Sequence, residues 1–379
     1  MNENSELCKF IAANPEAWAQ RLTEEYGIKI KREGELAIFN YSIGGDFYNP
    51  IVQEARGIII DVVDLEVVCW PFRKFGNHTE GYADKIDWES ARVQEKIDGS
   101  IIKLWYHKKR RVWTFSTNGV IFAKNARLEK GGGCYGEVIL STENMKDIAF
   151  WQLNEDYTYI FELVSPQTRI VIPYEKAMLY LLGTRNNITG EEYDLDIGIQ
   201  KPKSYPLTSL EDCIYAAKVL NKTDAKEVNL EGFVVVDKFW HRVKVKSPAY
   251  LTMHHVFMTG DMTKKECVYL LLHEREKLNG LYERFPALEP ILKYYDYRIA
   301  ELRQSADALG VLAQKLYEEY SGDRKAMAGV LSKHHLAMVG FACLNKEKSG
   351  KEILAEMTDE KICKMLPDYV AEDFSSLFI

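Results

Sequence analysis

Glu95-Lys-Ile-Asp-Gly-Ser100 is the stretch on which the reading of this chain turns. A lysine followed two places later by Asp-Gly can present its amine at a sharp strand end, where it can serve as a nucleophile. Standing alone, the same pattern also describes an exposed hairpin turn of the Asp-Gly kind. The flanking sequence decides between the two. Upstream lies Glu54-Ala-Arg-Gly-Ile-Ile-Ile-Asp61, and downstream, in order, come Phe161-Glu-Leu-Val164, Glu231-Gly-Phe-Val-Val-Val236 and Val243-Lys-Val-Lys-Ser247. Each is a short polar signature at the edge of an apolar, β-rich run, and together they point to one pocket.

Around this set the chain reads as short apolar runs separated by turn signals. Runs at 58–63, 101–106, 112–116, 159–164, 178–182 and 233–236 are rich in Val, Ile, Phe and Tyr and predict strands. His107-Lys-Lys-Arg-Arg111 lies between two of them and reads as a charged hairpin turn, solvated or touching phosphate. Helical patches are expected at 5–25, 124–129 and 209–220, the last capped by Ser209. Gly131-Gly132-Gly133 has no Gly-Lys-Ser/Thr after it and reads as a flexible turn, not a phosphate loop. From about residue 255 the periodicity becomes helical. Leu271, Leu278, Ile291, Ile299, Leu302, Leu309 and Leu316 fall at amphipathic spacing, with Pro286 and Pro290 breaking between helices and a second helical set at 324–365. The expectation is an α+β chain: an antiparallel-sheet domain over 1–254, then an all-α domain over 255–379.

Composition bounds the function classes. The 379 residues carry a formal charge of −7, which excludes a protein that coats nucleic acid by bulk positive charge but permits a local basic groove. Seven scattered cysteines, never in a Cys-x-x-Cys arrangement, favour reduced thiols over a disulfide framework or a structural zinc site. The N-terminus is acidic and polar, and no apolar stretch approaches the length of a membrane span. A soluble, cytoplasmic protein without a membrane partner is expected.

The signatures supply what nucleotidyl transfer through an enzyme amine requires. Lys96 must lose its proton near neutral pH, and neighbouring cations and partial desolvation would lower its pKa. Lys244 and Lys246 alternate along a strand, so both point to one face, either outward to solvent or as the wall of a phosphate pocket. Glu162 interrupts an apolar strand, which is costly unless it is paired, with a partner such as Arg169, or sits near a metal. Glu231 precedes Gly232 at a strand start, either facing a cleft or as an ordinary turn acid. Arg56 opens a rigid strand from which its guanidinium can fork onto phosphate oxygens. Lys74, between Phe72 and Phe75, can reach phosphate or sit among packed rings.

The order Arg-Gly, Lys-x-Asp-Gly, Phe-Glu, Glu-Gly-Phe-Val and Lys-x-Lys resembles the covalent nucleotidyltransferases: ATP-dependent DNA and RNA ligases and RNA capping enzymes. More narrowly it resembles the phage-type RNA ligase 1 family. The motifs that carry this are Glu54-x-Arg-Gly-Ile, Lys74-Phe-x-Asn77, Glu95-Lys-x-Asp-Gly-Ser100, Phe161-Glu-x-Val-x-Pro166 with Arg169-Ile-Val171, and Lys244-x-Lys-Ser247. An α-helical tail also fits that family, where DNA ligases and capping enzymes carry an OB barrel.

The resemblance implies a nucleotidyltransferase domain followed by a helical RNA-specificity module, using ATP and Mg2+, with Mn2+ able to substitute. Lys96 would form a lysyl-adenylate, and AMP would pass to an RNA 5′-phosphate and be displaced by a 3′-hydroxyl. Asp98 belongs to the nucleophile motif, Glu162 would bind ribose, and Glu162 and Glu231 would hold the metal. Lys244 and Lys246 would grip the α-phosphate. Tyr41, Arg56, Lys74, Glu95, Gly99 and Asn118 would complete the nucleotide pocket. Implied partners are broken RNA, including cleaved tRNA, and an end-healing kinase/phosphatase. Two departures stand out: Gly76 where the family often has Phe, and Ser116-Thr117-Asn118-Gly119 where it carries Lys-Ser-Lys-Gly. A capping guanylyltransferase, a DNA nick ligase and a catalytically silent RNA-binding module are the alternative readings.

Overall fold

The computed structural model describes residues 2–128, 132–219, 229–278, 281–282 and 285–369. These divide into two compact units, one built from the described residues up to Leu251 and the other from Thr252 onward.

The first unit is made of three antiparallel sheets, in agreement with the expected α+β class. Strands β1 (Lys29–Glu33), β2 (Leu36–Asn40), β3 (Arg56–Asp61) and β4 (Glu66–Cys69) form a meander in chain order. The second sheet has the order β10-β9-β8-β6-β7, from β6 (Ser100–His107), β7 (Val112–Thr117), β8 (Tyr157–Val164), β9 (Met178–Asn186) and β10 (Glu192–Tyr193). The third has the order β11-β5-β12-β13, from β5 (Arg92–Glu95), β11 (Ser204–Tyr205), β12 (Gly232–Val236) and β13 (Arg242–Lys246). Each predicted apolar run falls on a strand, the first of them overrunning β3 by Val62 and Val63, which lie in the turn to β4, and the turn at 107–111 joins β6 to β7. The sheets bury separate apolar clusters: Phe39, Ile58, Ile60 and Trp70 in the first, Leu104, Phe161, Leu163 and Leu181 in the second, and Val93, Phe233, Val235 and Val245 in the third. The nucleophile motif lies where the chain leaves the third sheet at β5 and enters the second at β6.

The helices depart from expectation in three places. The patch at 5–25 is two helices, Glu6–Ala13 and Trp18–Tyr26, because Pro15 cannot continue the first. The patch at 124–129 shrinks to a 3-10 turn at Ala123–Asn125, a run too short to nucleate a helix; Glu129 lies outside the described residues. Pro290 does not break a helix but opens one: it sits in the first turn of Glu289–Glu319, where a missing N–H costs nothing. Leu210–Val219 is helical with Ser209 Oγ accepting the Asp212 N–H at 3.0 Å; Leu220 and Gly131 lie outside the described residues.

The second unit is helical throughout its regular structure. Glu289–Glu319 is its longest element and buries Leu292, Tyr295, Ile299, Leu302, Ala306, Leu309, Ala313 and Leu316, a stripe at three- and four-residue spacing. Among the described residues its other helices include most of Pro248–Thr259, and Lys264–His273, Arg324–Leu331, Ala337–Lys346, Gly350–Ala355 and Asp359–Met365. Among the described residues no helix is long and apolar enough to cross a membrane.

Glu54 ties the first helix to the entrance of β3. Its buried carboxylate accepts the Leu7 N–H at 2.8 Å and the Ser5 hydroxyl at 3.1 Å, and burial pushes the carboxyl up to about 7. Glu54→Ala leaves both donors unmet and is expected to cost ~1–3 kcal/mol, read from the urea midpoint at unchanged slope. With the folded pKa above the ordinary 4.5, this carboxyl favours the folded state fully below pH 4.5, and the contribution is lost as pH rises through about 7. Glu54→Gln removes that decline from the pH–stability curve.

Candidate active site

The β5-to-β6 passage is held tightly enough to fix Lys96. Its N–H donates to Gly232 O at 2.8 Å, while Glu95 pairs with Phe233 across the sheet. Gly99 lies against β8: a Cβ there would sit 2.3 Å from Leu163 O, so no side chain fits. Lys96 Nζ is 2.8 Å from Glu231 Oε2, and Lys246 Nζ is 2.9 Å from Glu231 Oε1. Glu231 is only 2% exposed, so a buried carboxylate is shared between two ammoniums.

This arrangement reverses the expected pKa of Lys96. Burial does favour the neutral amine, but Glu231, Glu162 and Asp98 together outweigh it and raise the pKa above its ordinary value. Lys244, by contrast, is pushed down to about 6 by burial and then by Lys74, Arg56, Lys96 and Lys246. Sequence spacing placed cations and carboxylates near Lys96 without saying which would be nearer. Geometry gives the carboxylates the shorter distance.

Glu162 sits on β8 opposite Ile101 of β6 and Tyr180 of β9. It is buried, and desolvation pushes its carboxyl up to about 7, with Lys96 opposing and Glu231 reinforcing the rise. Asp98 is anchored differently. Oδ2 accepts the N–H groups of Val171 at 2.9 Å and Ile172 at 2.8 Å, and Oδ1 accepts the Tyr250 hydroxyl at 2.7 Å. Asp98 therefore orders the motif backbone and the segment that begins with Arg169, whose Nε donates to Val171 O. Glu95 is half-buried, and burial raises its carboxyl against the pull of Lys203.

The remaining cations are seated on aromatic rings. Residues 76–78 run beside β13, with Lys244 N–H donating to Gly76 O and His78 N–H to Lys244 O, both at 2.9 Å. Gly76 packs closely in this path: a Cβ would lie 3.0 Å from Ala83 Cα, so a side chain there would require Ala83 to give by a few tenths of an ångström. Phe75 lies under both Lys244 Nζ, at 4.9 Å, and the Arg56 guanidinium, at 5.3 Å. Lys74 Nζ faces the rings of Tyr41, Phe47 and Tyr82. None of Arg56, Lys74 and Lys244 forms an ion pair among the described residues.

Asn118 lies against Gly57, its Oδ1 buried and without a hydrogen-bond partner. The same corner holds Lys103, fully buried on β6, which donates to Gly57 O and is pushed down to about 8 by burial. Sequence reading passed over Lys103, although a charge inside Ile101-Ile-Lys-Leu-Trp105 is the same kind of signal that singled out Glu162. Tyr250 was also missed, and no spacing marks it. The cavity of about 410 Å³ lined by Glu66, Tyr106, Lys108 and Glu155 among others shares none of these residues.

Among the described residues no cluster of three or more His, Cys, Asp or Glu forms a ready metal cage. Glu162 and Glu231 can offer carboxylate oxygens, which suit a hard divalent cation that takes its remaining ligands from elsewhere.

Comparison with known proteins matches the stretch of chain that carries these residues. The family model described as RNA ligase, of the phage T4 RNA ligase 1 type, matches residues 54–250, more than half of the sequence, and the chain belongs to this family. It is 32% identical over 301 residues to the "Putative bifunctional polynucleotide kinase/RNA ligase" of Autographa californica nuclear polyhedrosis virus, covering 73% of this chain and 41% of that protein. The chain thus spans less than half the length of that relative. It is 27% identical over 426 aligned positions to the RNA ligase of Rhodothermus phage RM378, covering 93% and 95%. An archaeal ATP-dependent RNA ligase is similar in structure at 12% identity and a TM-score of 0.44, over 70% of this chain and 68% of that one.

Lys244 supplies a pH prediction. With a folded pKa of about 6, well below its ordinary 10.5, it is largely neutral at pH 7.5, and its contribution to stability, full above 10.5, is lost as pH falls through about 6. A phosphate placed beside it restores the ammonium form. AMP binding at pH 7.5 is therefore expected to take up protons, seen as a calorimetric enthalpy that changes with buffer ionisation enthalpy, and Lys244→Met should reduce the uptake.

Proposed function

We propose that this chain is an ATP-dependent RNA ligase that joins 5′-phosphate and 3′-hydroxyl ends through a Lys96–AMP adduct. The observation that carries this reading is the buried Glu231 bridging Lys96 and Lys246, with Arg56, Lys74 and Lys244 seated on aromatic faces and in no ion pair among the described residues. A nucleophile paired with an acid, beside basic side chains outside any ion pair, fits a site that receives a polyphosphate.

Lys96 is an ammonium before nucleotide enters, so one proton must leave before attack, and Glu231 at 2.8 Å is the acceptor in place. Lys96 Nζ then forms a P–N bond to the α-phosphate as the α–β P–O bond breaks and pyrophosphate departs. In the second step an RNA 5′-phosphate oxygen takes the AMP and frees Lys96. In the third the 3′-hydroxyl attacks the RNA 5′-phosphorus, forming the phosphodiester and releasing AMP. Lys244, Lys246, Arg56 and Lys74 hold phosphate oxygens, while Tyr41, Glu95, Gly99 and Asn118 bound the nucleotide. Asp98 keeps the motif in register. A divalent metal, Mg2+ or Mn2+, held by Glu162 and Glu231, would neutralise charge developing at phosphorus.

The substrate reading is broken RNA, cleaved tRNA included, with the helical unit selecting it. Ends left unphosphorylated need an RNA 5′-kinase, and the kinase/ligase relative supports such a healing partner.

Incubation with magnesium and α-labelled ATP is expected to leave label on the denatured protein, to lose it in Lys96→Ala, and to discharge it onto 5′-phosphorylated RNA. Glu231→Gln should slow adduct formation by about 100-fold or more. Label from GTP alone would replace the ligase reading with a capping one, and absence of adduct from protein shown by mass to be unmodified would leave a silent binding module.

A further inference from the structure

Lys74 is enclosed by three aromatic rings that come from separate places in the chain. Its Nζ lies 5.4 Å from the centroid of Tyr41, 4.9 Å from Phe47 and 5.9 Å from Tyr82. The rings support one another: Tyr41 and Phe47 meet edge-on at 5.0 Å, and Phe47 and Tyr82 pack at 5.1 Å. Gln53 fastens the enclosure to the strand entrance. Its carbonyl accepts the Lys74 N–H at 2.8 Å, its side-chain amide donates to Phe47 O at 2.6 Å, and its side-chain oxygen accepts from Arg73 at 2.8 Å.

A ring face attracts an ammonium without cancelling its charge, so a caged lysine is held in place and remains available to an anion. A carboxylate partner would fix the lysine equally well but would repel the phosphate it is meant to grip. Lys74 also stands close enough to Lys244 to be the first of the cations that lower its pKa, so the caged ammonium belongs to the same group of basic side chains.

We propose that Phe47 and Tyr82, with Tyr41, are positioning residues whose ring faces hold the Lys74 ammonium for the phosphates of the entering nucleoside triphosphate. The inference rests on the ligase reading above and sharpens it: the cage serves the step that expels pyrophosphate, and not the later step that consumes an RNA already carrying AMP.

The test compares two reactions of the full chain: sealing that requires ATP, and sealing of pre-adenylylated RNA. In Phe47→Leu and Tyr82→Leu, which keep bulk without a ring face, the ratio of the first rate to the second at low ATP is expected to fall about tenfold. The KM for ATP in Lys96 labelling should rise in step, and Phe47→Tyr should restore both values. Lys74→Met sets the full size of the effect. Equal loss in both reactions, with a lowered melting temperature, would reduce the cage to packing and overturn the proposal, as would unchanged ratios in the leucine variants or in Lys74→Met. A wild-type protein that seals neither substrate removes the ligase reading and this inference with it, so the two failures are told apart.

Discussion

The carboxylate of Glu231, buried between the ammoniums of Lys96 and Lys246, is the contact on which the site depends. An isolated carboxylate taken out of water costs several kcal/mol, and two nearby ammoniums offset that only when the geometry holds. Geometry here comes from the sheet. β12 pairs with β5 on one side and β13 on the other, so Gly232 lies opposite Lys246 and Phe233 opposite Glu95. Main-chain bonds from Lys96 to Gly232 and from Ser247 to Glu231 close the same corner. A one-residue slip of any of these strands would turn a charged group into the apolar face packed around Phe233 and Val245. Strand register and catalytic geometry are thus a single constraint.

Two kinds of partner divide the cations by task. Lys96 has a carboxylate, which orders it and keeps it protonated. Lys244 and Arg56 share Phe75, and Lys74 has its own rings. Aromatic faces give orientation with little neutralisation, so the electrostatic demand for an anion persists. Burial adds to that demand by lowering Lys244 to about 6 and raising Glu162 to about 7. Each shift disfavours the charged form, and each group gains when a counter-charge is brought beside it.

What could be read from sequence is what strand chemistry writes locally. Alternating or continuous Val, Ile and Phe marked the strands, and polar residues at their ends marked the pocket, because an uncompensated charge beside an apolar run needs a reason. Pairing could not be read in the same way. Whether Lys96 would feel cations or carboxylates more strongly depends on how strands distant in sequence pair. Asp98 read as part of a nucleophile motif, yet its two oxygens are occupied by Val171, Ile172 and Tyr250, residues 73 to 152 positions away. Tyr250 carries no local signal of that duty, and neither do Phe47 and Tyr82.

Lys103 shows how a departure from a motif can be misread when the sheet is ignored. The chain has Ser116-Thr117-Asn118-Gly119 where its family carries lysines, which taken alone is a loss of positive charge. In the folded protein Lys103 of β6 lies directly opposite Ser116 of β7, and its ammonium reaches the Gly57 carbonyl beside Arg56 and Asn118. A neighbouring strand therefore brings a cation to the corner from which the motif lacks one. Its partner is a carbonyl, not a carboxylate, so the charge is oriented without being cancelled, on the same principle as the lysines seated on rings. Burial pushes it down to about 8, which leaves it predominantly charged at neutral pH. Cross-strand register, more than position along the chain, determines where positive charge stands in this site.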